Sequence, residues 1–133
     1  MNKLSGTITQ IQQSGAILLV DIDVEGKGFS ALLIESTPRH NWIRKGNSVN
    51  IVFKETEVSL AKELSGRISL RNRMNCKVLG VDRGELLSTV KLGFKHFTLV
   101  SAITTRSVDS LQIAVGDEVE ALVKANEVSL MQK

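Results

Sequence analysis

The chain has 133 residues, of which 42% are hydrophobic, so it can form one ordinary domain or two very small ones with a real core. Lys and Arg (17) exceed Asp and Glu (14) only slightly, and this mildly basic balance is unlike that of a dedicated nucleic-acid-binding protein. One cysteine excludes an internal disulfide, and no apolar run resembles a signal peptide or a membrane span. We therefore expect a soluble, cytoplasmic protein.

Short segments rich in β-branched residues and bounded by turns predict strands along the whole chain. The predicted strands are 16–24, 29–34 and 48–53 in the first half, and 86–94, 97–104 and 118–124 in the second. The sequence EGKG (25–28) predicts a hairpin turn. A short helix is predicted over 36–43, with Thr37 as N-cap before Pro38, and another over 106–113, with Ser107 as N-cap.

The second half repeats the first at an offset of 70 positions, without a gap. Ten identities fall between positions 2 and 60, beginning with Asn2 against Asn72 and ending with the run EVSL, present at both 57–60 and 127–130. Such a fixed period indicates tandem structural units. We predict repeat 1 over 1–60, a linker over 61–68 and repeat 2 over 69–133.

Each repeat is expected to be a five-stranded, OB-like barrel with one short helix, so the fold class is all-β. Because a unit of about 60 residues is only marginally stable alone, we expect the repeats to share an interface or to pair with another chain.

Enzymatic, metal and nucleic-acid functions find little support in the sequence. It contains no phosphate-binding loop, HExxH or GxSxG motif. His40 and His96 are isolated, and Cys76 fits a packed thiol better than a ligand or nucleophile. The four phenylalanines lie within strand patterns and Trp42 on the apolar side of a predicted helix, so stacking platforms for single-stranded nucleic acid are not expected.

Hydrogen-bond donors are concentrated in ISLRNRM (68–74), which carries two arginines and no acid. Other candidate donors are Thr104, Ser107 and Lys124. A tetrahedral oxyanion has only acceptor oxygens and favours neutral donors with one or two cations. Each residue also has a structural interpretation: Ser107 as a cap, Lys124 as solvated surface, and Arg71 as the partner of an acid such as Glu63. From the residues alone, these interpretations stay open.

Three segments read together, SLRN (69–72), ITTRS (103–107) and ALVKANEVSL (121–130), resemble the molybdate-binding Mop (TOBE) family. The match covers 69–130 closely and 2–60 loosely. The resemblance implies an OB-like barrel per repeat, assembly through exchanged strands, and molybdate or tungstate held where subunits of a dimer or trimer meet. It implies an oxyanion site formed by Ser69, Leu70 (through its backbone), Arg71, Asn72, Thr104, Ser107, Lys124 and Ala125.

Repeat 1 departs from this pattern, because only Met1 precedes Asn2 and Ile34 replaces the threonine. We expect it to contribute Thr37 and Lys54 at most. The implied function is non-enzymatic binding of the oxyanion for storage, homeostasis or sensing. The alternative is a regulatory domain that docks on a molybdate-transporter ATPase or a transcription regulator; the ATPase's C-terminal domain is similar to this pair of repeats.

Overall fold

The computed structural model describes residues 1–34 and 39–133, and these residues are mostly β-strand. The strands of the first half are β1 (Asn2–Ser14), β2 (Ile17–Val24), β3 (Lys27–Ile34), β4 (Ser48–Phe53) and β5 (Ser59–Ala61). Those of the second half are β6 (Asn72–Arg83), β7 (Leu87–Phe94), β8 (Phe97–Thr104), β9 (Glu118–Val123) and β10 (Ser129–Gln132). Helix α1 (Thr105–Ser110) follows β8, and short 3₁₀ helices lie at Glu55–Glu57 and Ala125–Glu127.

The strands form two five-stranded antiparallel sheets, and each sheet includes a strand from the other half of the chain. The first sheet has the order β10-β4-β1-β2-β3 and the second β5-β9-β6-β7-β8. In the first, β10 places Ser129 opposite Val52; in the second, β5 places Ser59 opposite Leu122. The two repeats therefore exchange their last strands reciprocally within one chain.

A long, bent first strand lets each sheet curl. β1 pairs with β4 through its first half and with β2 through its second, with a register shift between Ile8 and Gln10. β6 has the same arrangement, with its shift between Val78 and Gly80. Such a bulge bends a strand and increases its twist.

The two sheets share one hydrophobic core, as the instability of a 60-residue unit predicts. Alternate side chains of β2 and β7 point inward, so Val20 and Val90 are fully buried at equivalent places. Phe29 and Phe94, one from each sheet, meet edge to face with ring centroids 6.1 Å apart. Phe53 is also buried and Phe97 half-buried.

The structure confirms the predicted all-β class with two five-stranded, OB-like units, and the predicted strands lie within two residues of those observed. The hairpin turn is also confirmed, since Glu25 and Gly26 have positive φ angles of 50° and 91°. The repeat and linker boundaries at 60 and 69 stay a prediction. The longest helix of the described residues has six residues, too few to cross a membrane.

The helix predictions need correction. In repeat 2 the N-cap is Thr104, not Ser107, because the Thr104 hydroxyl accepts the Ser107 backbone N–H at 3.1 Å. The helix predicted in repeat 1 would begin at residues outside the described part of the chain, and its predicted cap, Thr37, also lies there. Residues 39–43, which are described, are not helical, and 41–42 form a turn.

Strand exchange makes a prediction about a shortened chain. Removing 129–133 deletes β10 and should expose β4 of the first sheet, because β10 pairs with Val49–Val52. We expect backbone amide exchange in β4 to rise at least about tenfold while β9 stays protected. Hydrogen-exchange mass spectrometry measures both strands in one experiment. Faster exchange in β9 with an unchanged β4 would contradict the exchanged topology.

Candidate anion-binding site

Arg71 and Lys124 lie at the same end of two neighbouring strands. Asn72 begins β6 and pairs with Val123, the last residue of β9. Arg71 directly precedes the first and Lys124 directly follows the second, and both side chains are exposed. The antiparallel register therefore brings together two cations that are far apart in the sequence.

The neighbours of these cations complete one cluster of predicted site residues. Ser69 is exposed and Leu70 half-buried in the segment that leads into β6. Ala125, half-buried, begins the 3₁₀ helix Ala125–Glu127, which packs against β3 of the first sheet. The structure thus places 69–72 and 124–125 together, at a seam where a segment of repeat 2 meets the edge of the other sheet.

Asn72 is buried, and its side chain bonds to the backbone of β3. Its Nδ2 donates to the Ser30 carbonyl at 2.9 Å, and its Oδ1 accepts the Ser30 N–H at 2.7 Å. Ser30 is not among the residues predicted from the sequence to form the site. The available signal was the Asn2–Asn72 identity between repeats, because Asn2 makes the same two bonds to Val100.

The two arginines of 68–74 have different electrostatic environments. Arg73 pairs with Glu120 on β9, its Nη2 lying 2.8 Å from Oε1. This hydrogen-bonded pairing lowers the pKa of Glu120 and raises that of Arg73. Among the described residues, neither Arg71 nor Lys124 forms an ion pair, so the suggested partnership of Arg71 with Glu63 is not observed.

Carboxylates are nevertheless present near Arg71. It borders a surface depression that is also lined by Asp21 and Asp23 of β2. Asp21 accepts the Ser30 hydroxyl at 2.9 Å, and Asp23 accepts the Gly26 N–H at 3.2 Å. Both acids thus have partners in their own sheet, and Arg71 keeps its donors free of an ion pair.

Thr104 and Ser107 form a second group of predicted site residues. Their hydroxyls lie 2.7 Å apart at the start of α1. Thr104 is exposed and Ser107 half-buried. Thr104 pairs with Leu87 of β7, so the two hydroxyls lie close to the exposed side chain of Leu86.

The two groups lie at opposite ends of β6 and do not form one site within a chain. Asn72 is the first residue of β6 and Arg83 is the last. Arg83 pairs with Ser88 of β7, and the neighbouring Leu87 pairs with Thr104 of β8. At about 3.3 Å per residue, the strand separates these ends by roughly 36 Å along its path.

Repeat 1 has the same backbone at the equivalent of the Arg71–Lys124 cluster but different charges. Lys54 is exposed like Lys124, and it also precedes a 3₁₀ helix. Glu55 stands where repeat 2 has Ala125, and its carboxylate lies 3.4 Å from the Met1 amine. A carboxylate at this position opposes an anion, and the degeneracy of repeat 1 stays a prediction.

The other candidate ligands give no competing site in the described residues. His96 pairs with Glu25 at 2.9 Å, and His40 stacks on Trp42 with a centroid distance of 5.3 Å. Cys76 is buried, and this burial raises the pKa of its thiol to about 11. No group of three or more potential metal ligands occurs in the part of the chain that the structure describes.

The sequence and the fold were compared with known proteins. The TOBE domain model matches residues 68–130, which include both groups of candidate site residues. A molybdate-binding protein from Sporomusa ovata is 36% identical over its whole length, covers 50% of this chain and superposes with a TM-score of 0.50. The chain belongs to the TOBE family.

Two longer matches cover most or all of the chain. The molybdenum import ATP-binding protein ModC of Brucella abortus is 34% identical over 108 residues, which cover 80% of this chain. This chain spans 28% of that protein's length. The cytoplasmic molybdate-binding protein ModG, solved with molybdate bound, superposes with a TM-score of 0.92 over 99% of this chain and 96% of its own, at 24% identity. The likeness to ModG shows that the tandem fold is shared.

The Arg73–Glu120 pair predicts a pH-dependent contribution to stability. Because Arg73 lowers the pKa of the folded Glu120 carboxyl, the pair stabilises the fold above the unfolded pKa of about 4.3. That contribution is lost as pH falls through the lowered, folded pKa. Glu120→Gln should therefore lower the free energy of unfolding at pH 7 by at most about 1 kcal/mol, because both side chains are partly exposed to solvent.

The difference between Glu120→Gln and the unsubstituted protein should shrink toward pH 3. Urea unfolding at pH 7, 5 and 3 measures it. A difference that stays constant across this range would show that the pair contributes nothing pH-dependent.

Proposed function

We propose that this protein binds molybdate, or the similar tungstate, without catalysing a reaction, and serves in cytoplasmic storage, homeostasis or sensing of the oxyanion. The observation that carries the proposal is the meeting of Arg71 and Lys124, two exposed cations without an ion-pair partner in the described residues. Relatives named for molybdate binding and molybdenum import support the same ligand class.

The chemistry of the cluster suits a tetrahedral dianion. The Arg71 guanidinium offers a planar fork of charge-assisted donors, and the Lys124 ammonium a mobile point charge. Backbone N–H groups of 69–72 and Ala125 supply neutral donors nearby. In this proposal the anion is the counter-ion of Arg71, which explains an arginine that has no acid partner.

The second group of donors is proposed to come from another copy of the chain. Thr104 and Ser107 lie at the far end of β6 from Arg71, so one chain offers only part of the proposed set. A homo-oligomer, dimer or trimer, would place the hydroxyls of one copy against the cations of the next. From repeat 1, Lys54 and Thr37 are the possible further contributors.

One observation favours a second function. The region matched in ModC is a minor part of a longer ATP-binding import protein. A domain of this kind could instead dock on a molybdate-transport component or a transcription regulator and bind little anion itself. Heat on mixing with molybdate separates the two proposals.

Removing either cation should weaken molybdate binding. A charged hydrogen bond contributes about 1.5 to 3 kcal/mol, so Arg71→Ala and Lys124→Ala should each raise Kd by roughly 10- to 100-fold. Isothermal titration calorimetry with sodium molybdate measures this. Lys77→Ala, an exposed lysine within β6, is the matched control and should leave Kd unchanged.

The same titration tests the alternative. No heat from the unsubstituted protein, together with complex formation with a transport component, would favour docking. Equal binding by Arg71→Ala and the Lys77→Ala control would rule out the proposed site.

Sulfate should compete poorly for this site. It has the same charge and shape as molybdate but is smaller, so donors arranged for the larger anion would stand too far from some of its oxygens. Equimolar sulfate in the titration should change the molybdate Kd by less than about twofold, because specificity is a difference of affinities. Strong competition would indicate a general dianion site.

A further inference from the structure

We infer that Asn72 is a positioning residue for the proposed anion site, and that it acts by fixing Arg71 to the edge of repeat 1. The inference rests on the proposed function. It assigns repeat 1 a task that its own altered residues do not suggest: strand β3 becomes the support on which the site of repeat 2 is built.

The bonding of Asn72 carries this inference. Both polar ends of its amide are engaged by the Ser30 backbone, at 2.9 Å and 2.7 Å, and the residue is 1% exposed. An oxyanion needs hydrogen-bond donors. In Asn72, one Nδ2 hydrogen is already donated to the Ser30 carbonyl, and Oδ1 accepts the Ser30 N–H. Its geometry therefore suits a fixed anchor better than a ligand.

The anchor acts on Arg71 through the backbone. Arg71 directly precedes Asn72 and has no ion pair of its own in the described residues, so the start of its side chain is constrained by the Asn72 anchor together with the pairing of Asn72 and Val123. Binding sites need their groups held within about 0.5 Å of the productive geometry. Freeing the Asn72 side chain should thus reduce affinity without removing a donor from the anion.

The duplicated fold supplies an internal control. Asn2 makes the same two bonds to Val100, each 2.8 Å long. Next to Asn2, however, stands Met1 in place of Arg71, and Glu55 replaces Ala125. The same anchor thus occurs twice in the fold, once beside the proposed site and once beside a position that lacks the arginine and carries the Glu55 carboxylate.

The decisive variants alter the partner of the anchor rather than Asn72 itself. Ser30 lies on the edge strand β3, and its N–H points to Asn72, so Ser30→Pro removes this donor at a position where an edge strand tolerates proline. Val100→Pro does the same to Asn2 on the edge strand β8. Ser30→Ala controls for the hydroxyl that Ser30 donates to Asp21.

Calorimetry with sodium molybdate and thermal unfolding on each full-length variant give the test. We expect Ser30→Pro and Asn72→Ala each to raise Kd about tenfold or more, with no further loss when they are combined, because they break one interaction. Val100→Pro, Asn2→Ala and Ser30→Ala should stay within about twofold of the unsubstituted Kd. The two proline variants should lower the melting temperature equally.

Each result has a distinct meaning. If the unsubstituted protein binds molybdate and Ser30→Pro binds as well as Val100→Pro, the inference is overturned and the proposed function stands. If the unsubstituted protein gives no heat, both fail. Should Ser30→Pro not fold, amide exchange of 69–72 without ligand decides: it must rise in Asn72→Ala and not in Asn2→Ala, and equal exchange overturns the inference.

Discussion

The reciprocal exchange of β5 and β10 is the constraint on which the rest of this structure depends. Each sheet is completed by a strand from the other repeat, so neither repeat supplies all five strands of its own sheet. The shared core follows, since Phe29 of one sheet packs on Phe94 of the other. For units of about 60 residues, this sharing replaces the core that each is too small to build.

Exchange also separates the two tasks of a repeat, folding and binding. The described elements of the two halves correspond one to one at the offset of 70, apart from α1, whose equivalent positions 35–40 lie partly outside the described residues. At equivalent positions, repeat 1 has Glu55 in place of Ala125 and Ile34 in place of Thr104. Repeat 1 can thus change the charge of its surface while it keeps every strand that repeat 2 needs.

Local sequence patterns predicted most of the strands. The pairing between strands that are distant in the sequence could not be predicted from them. Strand positions follow from alternation, and the period of 70 follows from identities. The family resemblance implied exchanged strands, but local patterns could not show that the exchange joins the two repeats of one chain, because the run EVSL is identical at 57–60 and 127–130. Likewise Arg71 and Arg73 look alike in sequence, and only the position of Glu120 on β9 distinguishes the neutralised one.

The prediction of the α1 N-cap was wrong for a related reason. Thr104 and Ser107 are both hydroxyl residues, and the end of β8 decides which one caps the helix. The identity of the capping residue affects the proposed site. A capping Thr104 is held in place without a ligand, so a second copy would present a preformed pair of hydroxyls rather than a mobile loop. If each anion site is divided between copies, ligand and assembly must stabilise each other by linkage, and occupancy would then depend on protein concentration as well as on molybdate.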